Sequence, residues 1–239
     1  MMSARDRLIV AVDVPSVKEA RALIDTLSPQ VDIFKIGSQI FTLCGPAIID
    51  YCLDRGKKVF LDLKFHDIPN TVAGAMASAT ALGRPEQGLF LCTVHTAGGQ
   101  EMMEQAVEKA AKTAASIGVK RPLIIGITVL TSHPKTDNIN SLVLERAQLA
   151  KRSGLDGVVA SSQEATMLRR EFGKDFIIVT PGIRPKGAEG GDDQQRTMTP
   201  FDAISNGSNF LVVGRPVVQA ANPLEAARAI IREIEEALR

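Results

Sequence analysis

An α/β chain closed into a (β/α)8 TIM barrel is the fold class that this sequence predicts, on three observations. Short apolar, β-prone runs alternate with longer stretches of helical period along the whole chain. Eight such alternations follow one another with no linker or low-complexity segment between them, which argues for one α/β domain over residues 1–239 with a parallel sheet. A length of 239 residues with 45% hydrophobic content suits a single closed barrel and supplies a sizeable core. An open doubly wound sheet is the alternative from pattern alone. The absence of G-x-G-x-x-G after the first strand removes its simplest dinucleotide-binding form.

The elements follow in order. The first strand, residues 8–13, is the run Leu-Ile-Val-Ala-Val-Asp, and Ser16 then caps a helix over 17–27. The second strand, 32–36, leads to a helix over 40–55 closed by Gly56. The third, 58–64, reads Lys-Val-Phe-Leu-Asp-Leu-Lys and precedes a helix over 71–82 that stops at Gly83. The fourth, 89–95, is followed by a helix over 100–117 that stops at Gly118. Strands at 123–128 and 157–160 precede helices at 139–152 and 163–172. The seventh strand, 176–180, opens into residues 181–198, the longest stretch without a clear element and therefore a candidate mobile functional loop. Thr199-Pro200 starts a helix over 200–206, the eighth strand takes 210–213, and a helix over 224–238 closes the chain.

Composition excludes several classes of partner. Net charge is +1, from 28 basic and 27 acidic residues, with no Lys/Arg cluster, one Tyr and no Trp. Neither nucleic acid nor an anionic membrane is recruited globally, so an anionic ligand must be held by a few local groups. Cys44, Cys52 and Cys92 are odd in number and form no C-x-x-C pair, as in a reduced, cytoplasmic protein. Residues 1–7 are polar and the apolar run 8–12 is too short for a signal peptide. No apolar run approaches the roughly 18 residues of a membrane span.

Polar residues collect at one end of the expected barrel. Side chains alternate along a strand, so Asp62 and Lys64 share a face with Phe60 behind them, while Val59, Leu61 and Leu63 point away. Buried charge costs several kcal/mol per ion unless it is paired. The triplet is therefore either a structural ion pair or the chemistry of a site. Asp13, Lys35, His95, Thr131, Pro181-Gly182 and Gly214-Arg215 fall at or just past other strand ends, where barrel active sites lie. The opposite ends carry Arg7, Asp32 and Lys58, read as ordinary solvated charges. Phosphate is the favoured anion, because barrels often bind it after strands seven and eight. There Gly214 offers a backbone N–H beside Arg215, and the 181–198 loop carries Arg184, Gln194, Gln195 and Arg196 among Gly187, Gly190 and Gly191. A surface arginine capping the last helix, and a disordered loop, are the plainer readings.

The string Asp62-Leu-Lys-Phe-His-Asp-Ile-Pro-Asn-Thr71 resembles the active-site signature of the orotidine 5'-phosphate decarboxylase family. Leu8-Ile-Val-Ala-Val-Asp13 and Phe34-Lys-Ile-Gly37 precede it in that family's order. Val94-His-Thr-Ala-Gly-Gly99, Thr128-Val-Leu-Thr-Ser132, Thr180-Pro-Gly-Ile-Arg184, Asp193-Gln194 and Val213-Gly-Arg215 follow it, so the likeness spans essentially the whole chain. It implies decarboxylation of orotidine 5'-monophosphate to UMP and CO2 in pyrimidine biosynthesis, without cofactor or metal. It implies a charge array of Lys35, Asp62, Lys64 and Asp67, in which Asp67 crosses a homodimer interface into a shared site. Lys64 would stabilise and then protonate the C6 carbanion, with Asp62 and Asp67 flanking and orienting its ammonium.

The same resemblance places Asp13 and Lys35 on the ribose hydroxyls, Thr131 at the pyrimidine edge and Pro181 against the ring, with Thr71 among the substrate contacts. It places Gln194, Arg215 and the Gly214 N–H on the phosphate, Arg184 close by, and Gln194 also toward the base. His66 and His95 read as structural, His95 bonding backbone near the mouth and His66 orienting the turn before Asp67. Two rivals remain. One is a magnesium-dependent sugar-phosphate decarboxylase or aldolase of the same barrel group. The other is a non-catalytic nucleotide-phosphate sensor.

Overall fold

In the computed structural model, which describes residues 2–85, 87–130, 138–186 and 197–239, parallel strands close in sequence order into an eight-stranded barrel. They are β1 (Leu8–Ala11), β2 (Ile33–Gly37), β3 (Lys58–Phe65), β4 (Leu91–His95), β5 (Leu123–Ile127), β6 (Gly157–Val159), β7 (Ile177–Thr180) and β8 (Phe210–Val213). The ring closes where Leu8, Ile9 and Val10 of β1 pair with Leu211, Val212 and Val213 of β8. The connecting helices are α1 (Val17–Leu27), α2 (Ser38–Cys44), α3 (Ala47–Leu53), α4 (Pro69–Ala81) and α5 (Gly99–Ile117). They continue as α6 (Ile139–Arg152), α7 (Ser162–Phe172), α8 (Pro200–Ser205), α9 (Arg215–Val218) and α10 (Pro223–Leu238).

Both faces of each strand are buried, which is why the strands read as near-continuous apolar runs. Outward residues such as Val10, Phe34, Ile36, Val59, Leu61, Cys92 and Val94 pack beneath the helices. Inward residues Ile9, Ile33, Phe60, Leu91, Ile125, Val179 and Phe210 fill the barrel. One step further along, the inward positions of β2, β3 and β4 become Lys35, Asp62 and Thr93. The apolar plug thus stops one layer short of the C-terminal mouth on that side and leaves a polar layer above it.

Helix starts follow the expected chemistry. Ser16 Oγ accepts the Glu19 N–H at 3.2 Å, and Thr199 Oγ1 accepts the Asp202 N–H at 3.1 Å. Most boundaries lie within two residues of the sequence expectation. Three features differ. The helix expected over 40–55 is two, because Gly45 takes φ +56° and Pro46 offers no N–H to continue the ladder. The short α9 after β8 was not expected, since four residues leave no periodic pattern. The N-terminal end of the barrel is also not simply solvated. Asp32 is half-buried and bonds Arg5 at 2.7 Å and Lys57 at 3.1 Å. Burial opposes its charge, but the hydrogen bonds and charges of Arg5 and Lys57 outweigh burial and hold its carboxyl below the usual range. Arg7 likewise donates to Asn209 O at 3.2 Å, tying the first turn to β8. Among the described residues no helix is long and apolar enough to cross a membrane.

Strand spacing imposes one strict requirement on β6. A Cβ on Gly157 would lie 2.1 Å from the carbonyl oxygen of Ile177 on β7. Gly157→Ala should therefore destabilise by about 3 kcal/mol, a fall of roughly 6–12 °C in Tm, read by calorimetry. An unchanged Tm would mean that the β6–β7 contact is not as tight as described.

Candidate active site

The site is built from the strand ends upward, beginning with a break in the β3–β4 ladder. Leu61 pairs with Cys92, but the next pair is Phe65 with Val94. Asp62, Leu63 and Lys64 therefore lie opposite the single residue Thr93. Lys64 takes φ +52°, the only non-glycine residue in the left-handed region among those described. A residue held there costs about 1–3 kcal/mol and persists only where its surroundings impose it. Its N–H, withdrawn from the strand ladder, donates to Thr93 Oγ1 at 2.9 Å.

Four charged side chains then form a chain across the mouth. Lys64 Nζ donates to Asp62 Oδ2 at 2.8 Å, and Lys35 Nζ approaches the same oxygen at 3.7 Å. Lys35 Nζ also donates to both carboxylate oxygens of Asp13, at 3.1 and 3.2 Å. The remaining Asp62 oxygen, Oδ1, accepts the Thr93 hydroxyl at 2.9 Å. Asp62 and Lys35 are the buried centre of this chain, with side chains 9% and 11% exposed. Lys64 and Asp13 are its open ends, at 39% and 46%. A buried carboxylate is tolerable here because each oxygen is engaged and two ammonium groups face it.

These groups form one wall of a cavity of about 310 Å³. The opposite wall is apolar: Ile127, Val129, Leu130, Val159, Val179 and Val212, with Phe60 below. Pro181, Gly182 and Arg184 beyond β7, and Gly214 and Arg215 beyond β8, complete its rim. The stems of the β7–α8 connection are joined there, with Arg184 N–H bonded to Met198 O at 2.9 Å and Met198 N–H to Gly182 O at 3.2 Å. A ligand suited to this shape is flat and apolar on one side, charged along the other, and anionic at the rim.

The structure brings together Asp13, Lys35, Asp62, Lys64, Pro181, Arg184, Gly214 and Arg215 of the residues expected from sequence. Asp67 and Thr71 are not part of the same chain's cavity lining. Asp67 is exposed and its Oδ1 accepts the next N–H, that of Ile68, at 2.7 Å. Thr71 is exposed in the first turn of α4, where its own N–H bonds Ile68 O. Thr131 and Gln194, like Gln195 and Arg196, lie outside the described residues. Sequence reasoning overlooked the apolar wall, whose residues look like ordinary core, and it overlooked Thr93. The available signal for Thr93 was alternation: Leu91, Thr93 and His95 share a face of β4.

His66 and His95 stack with centroids 5.1 Å apart and planes 20° apart, joining the turn after β3 to the turn after β4. His95 Nδ1 accepts the Ala97 N–H at 3.2 Å, the backbone contact expected of it. Burial first, then the neighbouring His66, Arg146 and Lys64, hold the His95 imidazole below the usual histidine range. Cys52 and Cys92 are driven by burial in the other direction, to about 12, which leaves them inert thiols.

Residues 6–230 match the Orotidine 5'-phosphate decarboxylase / HUMPS family. An orotidine 5'-phosphate decarboxylase of Syntrophomonas wolfei is 46% identical, covering 98% of this chain and all 100% of that protein. The enzyme of the same name from Moorella thermoacetica is 44% identical, covering 98% of this chain and 94% of its own length. Among solved structures, the orotidine 5'-phosphate decarboxylase of Lactobacillus acidophilus superposes with a TM-score of 0.79 at 33% identity. It covers 96% of this chain and 99% of that one.

The depressed His95 pKa has a defined sign. Neutral His95 is favoured by folding, so its contribution to stability is complete above the unfolded value of about 6.5 and is lost as pH falls through the folded value. His95→Asn keeps an acceptor for the Ala97 N–H and does not titrate. Between about pH 7.5 and about pH 5.5, the Tm of the natural protein should fall more than that of the variant. Parallel losses in the two proteins would assign the acid sensitivity elsewhere.

Proposed function

The chain belongs to the Orotidine 5'-phosphate decarboxylase / HUMPS family, and on that membership we propose that it converts orotidine 5'-monophosphate to UMP and CO2 with Lys64 as the proton donor. The observation that carries the reading is the ionic wall Asp13–Lys35–Asp62–Lys64 facing an apolar wall across one cavity. Loss of CO2 leaves an electron pair at C6 in the plane of the pyrimidine, where no ring carbonyl accepts it well. A cation already in place at C6 lowers that barrier without reorganising at the moment of reaction.

The two lysines divide the work. Lys35 is buried and clamped by both Asp13 oxygens, so it serves as a standing countercharge and, with Asp13, as a ribose contact. Lys64 is the more open ammonium, with Asp62 holding it near the mouth. As the C6–CO2 bond breaks, its electron pair stays on C6, takes a proton from Lys64 Nζ and becomes the C6–H bond. CO2 departs, and the amine regains a proton from water. Asp62 stands beside the leaving carboxylate, where repulsion raises the ground state. Arg215, the Gly214 N–H and Arg184 take the phosphate, a remote group whose binding energy is available to assemble the reacting geometry. Pro181 borders the ring. Gln194 and Thr131 join this reading from the sequence, as phosphate and pyrimidine contacts.

Asp67 enters through a homodimer in this proposal. It is exposed and turned to its own backbone, beside Ile68, which is 66% exposed. A carboxylate next to a large exposed apolar side chain suits a turn that inserts into a second copy, with Thr71 following it. The magnesium-dependent alternative is less well served. Both Asp62 oxygens are committed to Lys64, Lys35 and Thr93, so a cation would have to displace those partners. The reduced cysteines support a cytoplasmic setting.

Purified protein should convert orotidine 5'-monophosphate to UMP in excess EDTA, followed by ultraviolet absorbance. Activity that appears only with added magnesium would favour the sugar-phosphate reading, and tight UMP binding without turnover the sensor. Lys64→Ala should abolish turnover yet keep the fold, because Lys35 still faces Asp62. Retained turnover would remove Lys64 from the mechanism. Mixing inactive Lys64→Ala and Asp67→Asn proteins should restore part of the activity through mixed dimers, and no recovery after confirmed subunit exchange would argue against shared sites.

A further inference from the structure

We propose that Thr93 is a positioning residue for the decarboxylation, its single hydroxyl setting both the backbone of Lys64 and the carboxylate of Asp62. The inference rests on the decarboxylase reading for its kinetic consequence, and on geometry alone for its structural one. Thr93 is fully buried, inward-facing on β4, directly above Leu91. Its oxygen has one acceptor task and one donor task. The Lys64 N–H can only donate, so the 2.9 Å contact makes Thr93 Oγ1 the acceptor there. The hydroxyl hydrogen is then left for Asp62 Oδ1, also at 2.9 Å.

Each contact meets a need created by the other. Lys64 leaves the ladder at φ +52°, and its orphaned N–H lies in a part of the barrel where an unbonded donor costs free energy. The Thr93 hydroxyl satisfies it and so holds the strained turn that aims the Lys64 side chain inward. The same hydroxyl pins one oxygen of Asp62, so the other faces Lys64 and Lys35. Backbone position and carboxylate orientation of the two central reacting groups therefore pass through one atom of a residue that does not itself line the cavity. A valine at this position has nearly the same shape and makes neither bond. A serine makes both.

The test compares Thr93→Val, Thr93→Ala and Thr93→Ser with the natural protein. Thr93→Val should lower kcat roughly 10- to 100-fold while changing KM by less than about threefold, because phosphate and ribose contacts remain. Thr93→Ser should restore kcat to within about threefold of the natural value. A crystal structure of Thr93→Val should show Lys64 out of the left-handed region or its Nζ withdrawn from Asp62. Undiminished kcat in folded Thr93→Val overturns the proposal, as does a loss that serine fails to rescue. Failure of both Thr93→Val and Thr93→Ala to fold overturns it too, since the hydroxyl then serves folding. If the natural protein shows no turnover of orotidine 5'-monophosphate, the decarboxylase reading fails separately. The crystal structure then decides the positioning role: an unmoved Lys64 in Thr93→Val rejects it.

Discussion

A carboxylate placed inside a barrel must be neutralised from within, and the mouth of this protein is organised around that requirement at Asp62. Its side chain is 9% exposed, at a depth where an isolated charge would cost several kcal/mol. Two ammonium groups and one hydroxyl answer it, each from a different position on β2, β3 or β4. Lys35 in turn needs Asp13, which comes from just beyond β1. The register of neighbouring strands, Lys35 beside Phe60 and Gly37 beside Asp62, brings these groups within reach. None of the four charges is satisfied by its own strand alone except through the Lys64 turn, so the array exists only when β1 to β4 lie paired side by side.

That arrangement explains why the rest of the interior is so plainly apolar. Ile9, Ile33, Phe60, Leu91 and Ile125 form a plug below, and residues of β5 to β8 and the turn after β5 form an apolar wall opposite. In such surroundings the charges interact more strongly than in water, and their geometry is held by packing rather than by solvent. The lower end is sealed by a different set of ion pairs, Arg5–Asp32 and Lys57–Asp32. None of these three residues lines the cavity at the mouth. Similar residue types thus serve structure at one end and face a pocket at the other. Position in the barrel separates the roles, in accord with the general placement of active sites at the C-terminal ends of strands.

The segment from Lys64 to Thr71 links this array to the outside of the molecule. It begins in a left-handed residue, passes the stacked His66, and presents Asp67 and Ile68 to solvent before Pro69 opens α4. A turn with a strained start, an aromatic brace and a proline exit has few alternative conformations. Such rigidity suits a segment whose first residue must hold an ammonium in the cavity and whose fourth, in the proposed dimer, serves another copy.

The eight alternations, most element boundaries to within two residues, and the convergence of charged residues at strand ends were legible in the amino-acid sequence. These are local properties: periodicity, caps and β-prone runs act over a few residues, and strand alternation was enough to expect Asp62 and Lys64 on the face opposite Leu61, although a left-handed turn is what aims Lys64 there. Eight of the residues expected in the site line its cavity, because the ends of parallel strands in a barrel necessarily meet at one mouth. Which groups bond one another was legible only in the folded barrel. The skipped register between β3 and β4, the left-handed Lys64 and the double use of Thr93 depend on a neighbouring strand thirty residues away in the chain, and no local pattern encodes that pairing. The apolar wall was invisible for the same reason, since Val159, Val179 and Val212 are indistinguishable from core until the space in front of them is seen. Asp32 was misread for want of its partners, Arg5 and Lys57, which approach it only after folding. Local sequence sets the elements and their faces, whereas contacts between distant strands set the chemistry.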